Sequence, residues 1–208
     1  MNPHTHIDND RVQVAIAAAE RGTSAEFVLA VTDVSDDYGV YPLLWATLAG
    51  FAALGALAFI WPDTHVRFAF AAAGIIALVF WLILHFTPLG LAMVPVSAKN
   101  RAARALAHLE FAERVAGRTA KANGLLIFVA LRERHVEIVP DAGLARSVGA
   151  GAWSTVIATM AVALREGRPT DGVIAGIEAC AKIAATVFPP EAGDGNEIED
   201  AVVVMRHS

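Results

Sequence analysis

Two long apolar runs dominate the chain, and a short polar stretch separates them. Residues 40–61 contain no charged side chain, and residues 68–96 contain none except the titratable His85. Between them stand Pro62, Asp63, Thr64, His65 and Arg67. A bilayer core of roughly 30 Å needs about 20 apolar helical residues. The pattern therefore predicts a transmembrane helical hairpin over 40–96, with spans at about 40–61 and 68–94. The second run exceeds the required length, so it tilts, kinks near Pro88 or ends as an interfacial segment. Pro62 and Asp63 form the turn, and Trp61 lies at interfacial depth. Gly50, Gly55 and the small residues 71–74 allow two helices to approach closely. His85 falls near the far end of the second span. There it either serves a function, as intramembrane ionisable groups do, or reaches the headgroups.

The flanking segments have the pattern of a folded α/β domain. Val12, Ile16 and Ala19 share one helical face, and Gly22 ends that helix. Residues 27–31 are apolar at every position, as in a strand covered on both sides. After the hairpin, Ser97 can cap a helix reaching about residue 118, with Leu106, Leu109, Ala112 and Val115 inward. Residues 124–131 form a second fully apolar strand. Residues 132–135 are a polar turn, 136–139 a third strand, and 140–143 a turn. Helices over about 153–165 and 172–188 follow, the second capped by Thr170 or Asp171. A polar tail spans 189–208, with a short apolar run near its end.

This order predicts an α/β fold: a three-layer α/β/α sandwich with a small mixed sheet, interrupted by a two-helix transmembrane hairpin. The first two strands are joined through a helix and should be parallel. Neither flank can form a core alone, so residues 1–39 and 97–188 should be two parts of one domain.

Charge and composition add orientation. The mean hydropathy is +0.51, raised by the two apolar runs. Lys99, Arg101 and Arg104 follow the second span, whereas the connecting turn offers only Arg67. By the positive-inside rule both termini and the domain should be cytoplasmic. The first 22 residues lack the apolar stretch of a signal peptide. A single cysteine, Cys180, precludes an internal disulfide and fits a reducing compartment. It shares a helical face with Ile177 and Ile183, as a core thiol would. The net charge of −5 argues against a nucleic-acid surface.

Candidate chemistry is acidic and falls on two sheet edges. Asp33 and Asp36 follow the first strand and Glu133 the second, so they share the carboxyl edge, where α/β ligands usually bind. That edge leads within a few residues into the first span and should face the membrane, with Arg132 and Arg134 near the headgroups. Asn123 precedes the second strand and Asp141 follows the antiparallel third, on the opposite edge. Carboxylate plus amide oxygen is a donor set for a hard cation, calcium or magnesium. The competing reading of each of these residues is a turn or cap. His4 and His6 lie in the N-terminal segment. The chain has no P-loop, HExxH or G-x-S-x-G sequence.

The order Asn123-Gly124, apolar strand 125–131, Glu133-Arg134, strand 136–138 and Asp141 to Gly143 resembles the TPM domain family. The resemblance covers nearly both flanks. It implies an α/β/α sandwich. Plant members are described as acid phosphatases, some members bind divalent metal, and others are accessory or assembly factors. Many relatives are exported and carry a C-terminal span, whereas here the spans split the domain. The resulting expectation is a membrane-anchored binding or accessory module whose partner is another membrane or membrane-associated protein. The alternative is a divalent-metal-dependent phosphatase. A small transporter or channel would need oligomers, because two spans cannot enclose a path.

Overall fold

The computed structural model describes residues 7–63, 65–191, 198 and 202–205. It divides into two compact units: Met1–Ser35 with Asn100–Ser208, and Asp36–Lys99. His4 and His6 lie outside the described residues.

The first unit is built on a four-stranded sheet. Its strands are β1 (Glu26–Thr32), β2 (Gly124–Ala130), β3 (His135–Pro140) and β4 (Val202–Met205), in the order β3-β2-β1-β4. β1 and β2 are parallel, with Glu26 opposite Gly124 and Thr32 opposite Ala130. β3 runs antiparallel to β2, and β4 parallel to β1. All seven residues of β1 and of β2 are buried, because helices cover both faces. Phe27, Leu29, Val31, Leu125, Ile127 and Val129 point to one face. There they join Ile16 of α1 (Asn9–Glu20), Met160 of α7 (Ala150–Arg165) and Ile177 of α8 (Pro169–Ala185). Val28, Ala30, Leu126 and Phe128 point to the other face and join Ala103 and Ala107 of α5 (Val96–Arg114) and Val115 just beyond its end. The period-2 alternation of a strand thus feeds two separate cores, giving three layers. Each large side chain fully buried here contributes about 1.5–3 kcal/mol.

Several local expectations change. Leu109 is 53% exposed and Ala112 is exposed, whereas Ala103, Ala107 and Glu110 are buried. α5 turns Ala103 and Ala107 toward the sheet, where they pack with Val28, Ala30, Leu126 and Phe128. Ser97 falls inside α5 and not at its cap. The 140–143 turn opens a short helix, α6 (Ala142–Ser147), with Asp141 as its N-cap. α8 begins earlier than expected: Pro169 takes the first helical position and Arg168, not Thr170 or Asp171, is the cap residue. Pro169 suits that place because its missing N–H would have no helical partner. The apolar run in the tail is β4, an edge strand beside β1.

The second unit contains α2 (Val40–Ile60), α3 (Val66–Phe86) and the short α4 (Leu89–Ala92). α2 and α3 are each 21 residues long and apolar enough to cross a membrane, and only 11% of each apolar window is buried. They approach closely at Gly50, where a β-carbon would lie 3.0 Å from the Ala77 β-carbon. The Ala73 carbonyl oxygen lies 3.4 Å from the same position, and Ala46, Ala69 and Ala73 are buried. Gly55 and Gly74 border open space and take no part in that approach. The second apolar run does not continue as one helix to residue 94. Thr87 is extended (φ −121°, ψ 158°), as the residue before a proline prefers, and α4 begins after Pro88. His85 stacks on Trp81 at 5.0 Å and meets Phe86 edge-on at 4.9 Å.

Candidate functional site

Asn123 and Asp141 come to the same sheet edge because β2 and β3 are antiparallel neighbours. Leu125 pairs with Pro140, and the Asp141 amide donates to the Gly124 carbonyl at 2.8 Å. Both side chains are nearly buried: Asn123 is 4% exposed and Asp141 8%. Asn123 is held at three points. Its backbone N–H donates to Thr119 Oγ1 at 3.1 Å, its peptide neighbour Gly124 packs under Val115, and its Nδ2 donates to the Ser24 carbonyl. Asp141 Oδ1 accepts from the Ala142 amide at 2.6 Å, capping α6. The second carboxylate oxygen of Asp141, the amide oxygen of Asn123 and the Ser24 hydroxyl are buried without a hydrogen-bond partner among the described residues. Gly143 is pressed against this edge. Its N–H donates to the Ala122 carbonyl at 2.8 Å.

Hard oxygen atoms are the right donors for calcium or magnesium, which take about six to eight of them, or six in an octahedron. The number is wrong. Asp141 spends one oxygen on the cap, and Asn123 spends its amide N–H on Ser24. No group of three or more His, Cys, Asp or Glu side chains among the described residues could hold a metal ion. The residues present therefore supply the donor type for a divalent cation but do not complete its shell.

The other edge has a different character. Glu133 is engaged by Ser35, whose N–H and hydroxyl donate to its two oxygens at 2.7 and 2.6 Å. This pairing joins residues 98 apart in sequence. Asp33 is exposed, and its carbonyl accepts from the Arg132 amide at 3.0 Å. Asp36 belongs to the second unit, where its side chain accepts from the Asp37 amide at 2.7 Å. Glu133 acts here as a clasp on the loop after β1, and Asp36 as a local turn residue.

The sequence reading passed over one polar cluster. His135 and Glu137 lie two apart on β3 and so on one face. His135 Nε2 is 3.1 Å and Arg104 Nε 3.5 Å from Glu137 Oε2. The His135 hydrogen bond, followed by the Arg104 charge, holds the Glu137 carboxyl below its usual value against the opposing effect of partial burial. The H-x-E spacing in a strand was the available signal. Cys180 is fully buried, and desolvation pushes its thiol up to about 12. A thiol with so little thiolate is no nucleophile.

Residues 91–183 match the family model described as the TPM domain. The match runs from the end of the second apolar run through most of the second flank and does not reach β1 or β4, so it covers less than both flanks. The chain is also similar to the solved NMR structure of BA42 protein from the psychrophilic bacterium Bizionia argentinensis. The TM-score is 0.57 at 16% identity, over 98% of this chain and 99% of that one. At that identity the likeness is one of fold. None of the curated proteins matches the chain.

Proposed function

We propose that this chain is a membrane-anchored binding or accessory module; the match of residues 91–183 to the TPM domain model supports the reading. The hairpin of α2 and α3 holds it to a bacterial inner membrane, and the folded unit recruits another membrane or membrane-associated protein. The supporting observation is the exposure of the two helices. A core helix of a soluble domain would be covered by its own protein, yet these are 11% buried over their apolar windows. Leu48, Phe51, Ile75, Leu78 and Ile83 all present large apolar side chains outward. Lipid is the partner that such surfaces fit.

Lys99, Arg101 and Arg104 put both termini on the cytoplasmic side. Reporters active only outside the cytoplasm, fused to either end of the full chain, should stay silent. Activity at either end would reverse the orientation.

The alternative is a divalent-metal-dependent phosphatase. The orphaned buried oxygens of Asn123 and Asp141 are what favours it. A cation bound only by the folded state would stabilise it by about 2.7 kcal/mol at a hundredfold excess over Kd. Calcium, magnesium and manganese should be titrated against the full-length chain in mild detergent and against its Asp141→Ala variant. Thermal midpoint and aryl-phosphate hydrolysis are the readouts. The incomplete donor set predicts no shift and no turnover. A metal-dependent rise with turnover, both abolished in the variant, would replace the module with the enzyme.

A further inference from the structure

Most basic side chains of the folded unit have a partner. Arg11 pairs with Asp171, Arg114 with Glu110 and Lys121 with Glu191. Arg168 pairs with Glu166. Arg21, Arg101, Arg132, Arg134, Arg165 and Lys182 are exposed, and their side chains have no ion pair or hydrogen bond among the described residues. Three of these, Arg101, Arg132 and Arg134, belong to the carboxyl edge of the parallel strands. Arg132 and Arg134 sit in the tight turn joining β2 to β3, closed by the Arg134 amide on the Leu131 carbonyl at 3.2 Å. Arg101 lies one turn before Arg104 on α5, and Arg104 reaches the start of β3 through Glu137. Arg104 is itself 65% exposed, so its terminal N–H groups remain available.

Two acids at this edge are engaged. Glu133 is clasped by Ser35, and Glu137 by His135 and Arg104; Asp33, and Asp36 three residues on, are exposed. Four arginines stand at this edge on a chain of net charge −5, and their exposed guanidinium groups suit an anion. The covalent chain favours one source of it. The turn is hydrogen-bonded to residues 32 and 33, only seven or eight residues before α2 begins at Val40. Arg101 is five residues beyond Val96 in a continuous helix, a rise of about 7.5 Å.

We propose that Arg101, Arg104, Arg132 and Arg134 form a docking surface for the phosphate groups of anionic phospholipids. This rests on the membrane-anchored reading. Arginine suits the role because its planar fork of donors matches phosphate oxygens. The surface would fix the folded unit against the leaflet and orient the rest of it toward its partner.

The test uses the full-length chain in nanodiscs of phosphatidylcholine alone or mixed with phosphatidylglycerol. Backbone amide exchange is followed at residues 131–134 and 101–104. Exchange should slow about fivefold for each engaged arginine in the anionic discs. The protection should disappear in about 1 M salt, where the screening length falls to roughly 3 Å. It should also disappear in the combined Arg101→Gln, Arg132→Gln, Arg134→Gln variant. Equal exchange in the two discs, with normal incorporation into both, overturns the docking surface and leaves the anchor intact. Failure to enter either disc overturns both. A third arm adds inorganic phosphate to the neutral discs; equal protection there would assign the surface to free phosphate and overturn the lipid reading.

Discussion

Gly143→Ala should destabilise the folded unit by about 3 kcal/mol. A β-carbon at Gly143 would stand 2.5 Å from the Ala122 carbonyl oxygen and 2.6 Å from that of Lys121. Both are backbone atoms, so no side-chain rotation relieves the clash. The hydrogen bond from Gly143 to Ala122 would lengthen or break, and α6 would move off the edge that holds Asn123 and Asp141. Thermal unfolding of the full chain in detergent should show a fall of about 10 °C. Gly151→Ala is the matched control. Nothing lies within 4 Å of its β-carbon position, and it sits within α7. Alanine there should raise stability by up to about 1 kcal/mol. If Gly143→Ala unfolds with the parent, this edge can yield at little cost.

Ile76→Arg should largely remove the chain from the membrane fraction. Ile76 is at the middle of α3 and 43% exposed. Isoleucine at the centre of a spanning helix contributes about −0.6 kcal/mol to insertion, and arginine costs about 2.5 to 3.5. The difference of roughly 3 to 4 kcal/mol is a several-hundred-fold change in the insertion equilibrium. Alkaline carbonate extraction of cells expressing each form measures it directly. Extraction of the parent chain into the soluble fraction would refute the anchor. An arginine variant that stays in the membrane as firmly as the parent would show that α3 does not lie across the bilayer.

The elements that could be read from sequence are those whose whole environment is uniform. Residues 27–31 of β1 and 125–130 of β2 are apolar at every position, so no choice of face was needed to see that both sides are covered. α5 is the opposite case. Its leucines suggested one buried stripe, but the structure buries Ala103 and Ala107 and leaves Leu109 exposed. Which side of α5 meets the sheet is settled by tertiary packing, and helical periodicity alone does not choose between a small-residue stripe and a leucine stripe. Asn123 and Asp141 could be placed on one edge from strand order alone. That Asp141 would cap α6, leaving one buried oxygen without a partner, could not, because a turn and a short helix share the sequence PDAG.

By itself, the sequence determined that two charge-poor runs, each long enough for a bilayer, interrupt an α/β domain, and that β1 and β2 form its centre. Those features depend on composition over one stretch of chain, and hydrophobic burial acts on each stretch wherever it lies. The tertiary structure alone decided that the tail supplies β4, that Ser35 clasps Glu133, that Asn123 bonds Ser24, and that His135, Glu137 and Arg104 meet. The Ser35 and Asn123 pairs join residues 98 and 99 apart. Such contacts form only after the sheet has brought distant segments together, and no local pattern records which partner will arrive.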